Sequence, residues 1–175
     1  TRGDCQAQAR YKSERGAVVG KLNVAVYTPK QWKLAIRSVV PSSTMSPYSL
    51  DRNVLQTYLN ETIYNQGIVS WNVINLEPIV IPYDTASQND CVDIMDLEND
   101  EAAFIRTFPH AVPVDPKITT VFLVKCLIDH SRSIRPLGIA LRGKRVVFVA
   151  DLSFPELLYY VIAHEIGHAL FGLRH

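Results

Sequence analysis

Apolar positions change period several times along the chain, and each change marks an element. Val18 to Tyr27 alternates well enough for a strand, and Pro29 comes after it. Pro41-Ser42-Ser43-Thr44 has no periodicity and reads as a loop. Ser46-Pro47 then opens a helix, with Ser46 as N-cap and Pro47 at the first helical position. Leu50, Val54 and Tyr58, with Leu55, Leu59 and Ile63 beside them, keep helical spacing, and Gly67 supplies a stop. Ile68 to Leu76 favours a strand, and Pro78 and Pro82 confine the next segment to an edge strand or extended loop. Ile118 to Ile128 is a continuous apolar run, as in a buried strand. Leu137 to Leu141 and Val146 to Ala150 flank Arg142-Gly143-Lys144-Arg145 as the arms of a hairpin. Ser153 with Glu156 three residues on matches a capping box, and Pro155 lies in the first turn. The helix they announce runs through Leu157, Val161 and Ile162. This order of strand, helix, strands, hairpin and helix predicts a mixed α/β (α+β) fold, a mixed sheet with helices packed against it.

Residues 1–16 are polar and end at Gly16, so they read as an N-terminal arm or tail. That leaves residues 17–175 as a single domain. The chain has 175 residues, 47% of them hydrophobic, which suffices for one domain with its own core. With 18 basic and 17 acidic residues the formal net charge is +1, and nothing in that balance points to nucleic acid or an anionic membrane. Apolar runs such as Val146 to Ala150 are far too short to span a bilayer. No signal peptide is visible, and the chain opens on Thr1, as a processed or trimmed product would. Seven acidic residues and no Lys or Arg lie between Asp84 and Glu101, which reads as a solvated acidic face rather than a calcium loop. A short helix from Asn99 to Arg106 is plausible. Cys5, Cys91 and Cys126 form no CxxC pair, which argues against a cysteine-based zinc site. One disulfide with a free thiol and three reduced thiols both stay open, and the compartment with them.

The last helix carries the chemistry. His164 and His168 lie four residues apart, so both imidazoles project from one helical face. Two nitrogen ligands on one rigid face suit a tetrahedral zinc site. Glu165, beside the first, is placed to take a proton from a metal-activated water and pass it to a leaving amine. A catalytic zinc takes a third protein ligand and keeps one position open, and His175 is the candidate. On a straight helix it would lie about three turns beyond His164 at ~1.5 Å per residue. The chain must therefore turn back, and Gly172 tolerates the left-handed conformation that does so.

With His164, Glu165, His168, Gly172 and His175, the segment HEIGHALFGLRH resembles the metzincin clan of zinc peptidases. That clan's signature is H-E-x-x-H-x-x-G-x-x-H, with a methionine-containing turn after it. The resemblance implies Zn2+ on His164, His168 and His175, with Glu165 as general base. The activity it implies is a zinc-dependent endopeptidase acting on protein or peptide substrates held extended, and a secreted location goes with it. It also implies a zincin-like upper subdomain: a twisted mixed sheet, a backing helix at 47–66 and an active-site helix after the last strand. The edge strand lining the substrate cleft would be Leu137 to Leu141, which could pair with an extended peptide. Two departures are visible. Three residues, Ala169-Leu170-Phe171, precede Gly172 where the clan has two, shifting the helix end by about 100° of phase. Met45 and Met95 both precede the motif, so the clan's Met-turn and lower subdomain have no counterpart in these 175 residues, as in a truncated or unusually minimal member. Two further classes stand beside the secreted peptidase. One is a metallopeptidase toxin or effector delivered into another cell, and the other is a zinc-stabilised binding module of the same ancestry without turnover.

Other features have blander readings. Cys5 or Asp4 could cap the metal as an inhibitory ligand, and Arg2-Gly3-Asp4 is an adhesion tripeptide, but short motifs recur by chance. His110 and His130 fall in predicted loops as reserve ligands. Tyr160, one turn before His164, flanks the site and is read as a packing residue.

Overall fold

A computed structural model describes residues 2–10, 18–27, 30–40, 46–65, 69–80, 91–93, 115, 117–129, 131–141 and 143–173, with residues 2–27 described by backbone alone. The main sheet is built around a strand that the pattern reading passes over. In β3 (Lys30–Val40), Trp32, Leu34 and Ile36 alternate with Lys33, Ala35 and Arg37, the period of a strand. It pairs in parallel with β4 (Val69–Asn75) on one side and β7 (Ile118–Val124) on the other. The sheet continues through β10 (Val146–Ala150), parallel to β7, and closes on β9 (Gly138–Leu141), antiparallel to β10, giving the order β4-β3-β7-β10-β9. The predicted hairpin is thus present, and Gly143 turns it with φ 70, where a Cβ would be strained. β5 (Ile79–Val80) extends the β4 edge beyond Pro78 by pairing with β3, as an edge strand with flanking prolines should.

The first two strands stand apart from this sheet. β1 (Arg2–Arg10) pairs antiparallel with β2 (Val18–Tyr27) in a separate two-stranded sheet. The polar leading segment is therefore a ladder strand along those nine residues, where composition alone suggests a tail. Backbone pairing asks little of side-chain polarity, so a polar segment with a long partner can still form a strand.

The two helices lie on one face of the sheet. α1 (Arg52–Thr57) continues as a π-helical stretch, Tyr58–Ile63. It starts five residues later than Ser46-Pro47 predicts. The Asp51 carboxylate caps it, accepting from the N–H groups of Asn53 (2.9 Å) and Val54 (3.2 Å). Leu55 and Leu59 form its buried face, whereas Val54 is exposed. Gln56 and Asn60 turn to β4: Gln56 accepts from the Val73 N–H at 2.9 Å, and Asn60 accepts from the Trp71 N–H at 2.7 Å and donates to its carbonyl at 3.0 Å. These amides occupy the outer edge of β4 and shield it from pairing.

α2 (Pro155–Phe171) comes after β10. Its N-cap is Phe154, in extended conformation, with no side-chain cap bond, so the expected Ser153/Glu156 capping box does not form. The reason is Pro155 at the first helical position: it holds the preceding residue extended and has no N–H to satisfy. Leu158, Ile162 and Ile166 of α2 pack with Leu55 and Leu59 on Leu34, Ile36, Val121, Leu123, Val147 and Val149 of the sheet. The opposite sheet face buries Val39, Val124 and the stacked pair Phe122–Phe148, 5.1 Å apart. There the apolar run from Ile118 breaks into two strands. β8 (Leu127–Ile128) leaves the main sheet to pair with β6 (Val92–Asp93), and a Cys91–Cys126 disulfide joins them. The predicted helix near Asn99, the loop bearing His110, His130 itself and Gly67 lie outside the described residues.

Candidate functional site

α2 is almost wholly buried on one side and exposes a second stripe at four-residue spacing: Tyr160, His164 and His168. The His164 and His168 rings meet edge to face at 4.6 Å between centroids, with their Nε2 atoms 2.9 Å apart. Tyr160 stacks on His164 at 6.2 Å and is 55% exposed, so it belongs to the outer surface of the site and not to the core as expected.

The Nδ1 of His168 lies 2.7 Å from the carbonyl oxygen of Leu173. A carbonyl only accepts, so Nδ1 carries the proton and donates, and in the neutral ring the lone pair is left on Nε2. That is the tautomer a metal-binding histidine needs. Nitrogens sharing a tetrahedral zinc at ~2.0–2.1 Å stand about 3.3 Å apart, so a small rotation from 2.9 Å would admit the ion. The donor set of His164 and His168 fits zinc.

Glu165 points toward β9 and is buried. A Cβ on Gly138 would stand 2.7 Å from its Cγ and 2.9 Å from Cγ1 of Val161, so only glycine lets the side chain lie against the strand. The backbone N–H of Ala140 donates to the carboxylate. Burial pushes the Glu165 carboxyl up from its ordinary range, and His168 and the Ala140 N–H oppose that shift. Ala150 donates to the Leu137 carbonyl across the hairpin, so the alternation of an antiparallel ladder turns the N–H and C=O groups of Gly138 and Ala140 away from β10, to the sheet edge. Glu165 therefore sits where the histidine pair and the β9 edge come together.

The helix ends at Gly172 in the left-handed region (φ 63, ψ 29), as its sequence position suggests. The Gly172 N–H bonds back to the Gly167 carbonyl, five residues away where an α-turn spans four, and the Leu173 N–H reaches the same carbonyl at 3.4 Å. Phe171 is held between Trp32 (5.7 Å, stacked) and Tyr64 (5.7 Å), and the Tyr64 hydroxyl donates to the Ala163 carbonyl at 3.0 Å. His175 lies outside the described residues, two positions past Leu173. Among the described residues no group of three or more His, Cys, Asp or Glu stands together as a metal cluster. Asp4 and Cys5 fall in β1, opposite Ala25 and Val24.

Several contributors escape a sequence reading. Gly138 at a strand start and Gly167 inside a helix are the available signals, because glycine in a regular element marks a close approach. The backbone groups of Ala140 and Leu173 leave no trace in residue type.

The geometry places a histidine pair on one face of α2 and a carboxylate against β9, on a mixed α/β fold. No family model matches the chain, and no curated protein matches it. Among solved structures it is similar to archaemetzincin from Archaeoglobus fulgidus, crystallised with malonate. The two share 16% identity over 82% of this chain and 80% of that one, with a TM-score of 0.43. A likeness this distant carries no argument about metal, substrate or activity.

Proposed function

We propose that the chain is a zinc-dependent endopeptidase with Glu165 as general base, His164 and His168 as zinc ligands and His175 as the third ligand. The observation that carries this reading is the pairing of the two Nε2 atoms at 2.9 Å on one face of α2, with Glu165 held against β9. Zinc, when bound, supplies a Lewis acid that polarises a carbonyl and lowers the pKa of water. Glu165 takes the proton from the attacking water and returns it to the leaving amine. The Ala140 N–H orients the carboxylate for this exchange. An extended peptide adds to the β9 edge, since Asn60 and Gln56 occupy the β4 edge. The Cys91–Cys126 bridge supports a secreted protein, because disulfides persist in oxidising compartments. Among the described residues no helix is long and apolar enough to cross a membrane.

The test pairs metal analysis with cleavage of unfolded protein substrates. The parent chain should bind one zinc and cleave in a chelator-sensitive way. Glu165→Ala should keep the zinc and lose cleavage. Zinc bound without cleavage by the parent would favour the binding module, and a parent that binds no zinc would refute the proposal.

A further inference from the structure

The end of α2 does more than stop a helix. Gly172 reverses the chain, and the reversal brings Leu173 back over the last turn. A Cβ at Gly167 would lie 2.7 Å from Cδ1 of Leu173, the free end of an exposed side chain, so a larger residue at 167 would push the leucine aside. Glycine is unfavourable inside a helix relative to alanine, and room for Leu173 is a reason for it here. With its side chain so placed, Leu173 directs its carbonyl at Nδ1 of His168, 2.7 Å away. The wide five-residue closure on the Gly167 carbonyl sets the length of this return path. An ordinary four-residue closure would bring the preceding residue round instead.

We infer that Leu173 is a positioning residue for the metal ligand His168. Its carbonyl fixes the imidazole as the Nδ1–H tautomer and fixes the ring's orientation, and the contact with Gly167 and the left-handed Gly172 hold that carbonyl in place. Zincs bound by histidine depend on such partners for about 10- to 100-fold in affinity. The inference rests on the reading of His168 as a zinc ligand, yet the tautomer can be measured without metal.

Gly172→Val and Gly172→Asn separate the turn from its bulk. Asparagine tolerates the left-handed region, whereas a β-branched residue there is an outlier. Two readouts apply: zinc affinity by competition with a chromogenic chelator, and 15N imidazole shifts of His168 in the metal-free protein. Gly172→Val should bind zinc about 10- to 100-fold more weakly and mix the His168 tautomers, while Gly172→Asn stays close to the parent. Gly167→Val, which leaves Gly172 intact but fills the space of Leu173, should reproduce both losses. It keeps the test decisive if Gly172→Val does not fold. A parent that binds no zinc while His168 is a pure Nδ1–H tautomer would sink the zinc reading and with it the role toward a metal ligand, although the carbonyl would still be shown to set the tautomer. Unchanged tautomer and affinity in Gly172→Val and Gly167→Val would overturn the inference, as would equal losses in the valine and asparagine variants at 172.

Discussion

Breaking the Cys91–Cys126 bridge should destabilise the protein substantially, and its size can be worked from the chain. The cysteines are 35 residues apart, and the strands they join, β6 and β8, are only two residues long each. In the chain-entropy description a loop of that length restricts the unfolded state by about 12.7 cal/mol/K, or about 3.8 kcal/mol at 25 °C. The short β6–β8 ladder has little with which to replace it. Val92 and Leu127, which face each other across this ladder, are part of the core beneath the Phe122–Phe148 pair. Unfolding a 175-residue chain involves an entropy of about 370 cal/mol/K, so the bridge is worth about 10 °C in Tm. The assay is thermal unfolding monitored by circular dichroism, with and without reductant, repeated on the Cys91→Ala/Cys126→Ala double variant. Reductant should lower the Tm of the parent by about 10 °C and leave the double variant unmoved. A shift under about 3 °C would refute the reasoning, and would also remove the support the bridge lends to a secreted location.

Tyr64 should mark the alkaline limit of stability. Burial pushes its hydroxyl up from 10.0 to about 12, so the folded state keeps the proton that the unfolded state releases first. The stability from this group is fully present below pH 10 and is lost as pH rises through about 12. The loss is about 2 kcal/mol, after allowing for the partial exposure of the ring. Tyr64→Phe should flatten that alkaline fall in a denaturant-midpoint series while giving up about 1 kcal/mol at neutral pH, the hydrogen bond to Ala163. Ile166, fully buried in the core against the sheet, should cost about 2–5 kcal/mol when changed to alanine, read as a lower urea midpoint at unchanged slope.

Legibility tracks the strength of the local signal. The hairpin can be read because two apolar runs flank a Gly turn, and the structure has the same arms within a residue. The end of α2 can be read from Gly172, since only one conformation there suits glycine above all. β3 escapes the pattern although Trp32, Leu34 and Ile36 alternate, because Lys33, Arg37 and the proline before it mask a strand with both neighbours parallel. The start of α1 is misplaced by sequence because Ser46-Pro47 and Leu50-Asp51 offer two starts of equal quality locally. Tertiary context decides, with the Ser38 hydroxyl holding the Tyr48 carbonyl at 3.2 Å in the non-helical lead. Tyr160 shares the four-residue spacing of His164 and His168 and lies on their exposed stripe, but an aromatic residue type suggests packing, and only the structure assigns it to the surface.

The motif's extra residue is a chemical instance of the same dependence on context. Counting helical phase from His168 assumes that every residue up to Gly172 advances by an α step. On that assumption one inserted residue turns the rest of the segment by about 100° and spoils a ligand set. The helix keeps its α geometry through Phe171, and only then does left-handed Gly172 turn the chain, its N–H closing on the Gly167 carbonyl over five residues. Phe171, the last helical residue, is fixed by Trp32 and Tyr64, which belong to β3 and to the segment after α1. The helix end is therefore held by packing distant in sequence, and the carbonyl of Leu173 reaches His168. Spacing in a motif constrains a site only through the backbone path that connects its members. Here the path can be traced as far as Leu173, and within that length the His164–His168 pair and its orienting carbonyl stand together.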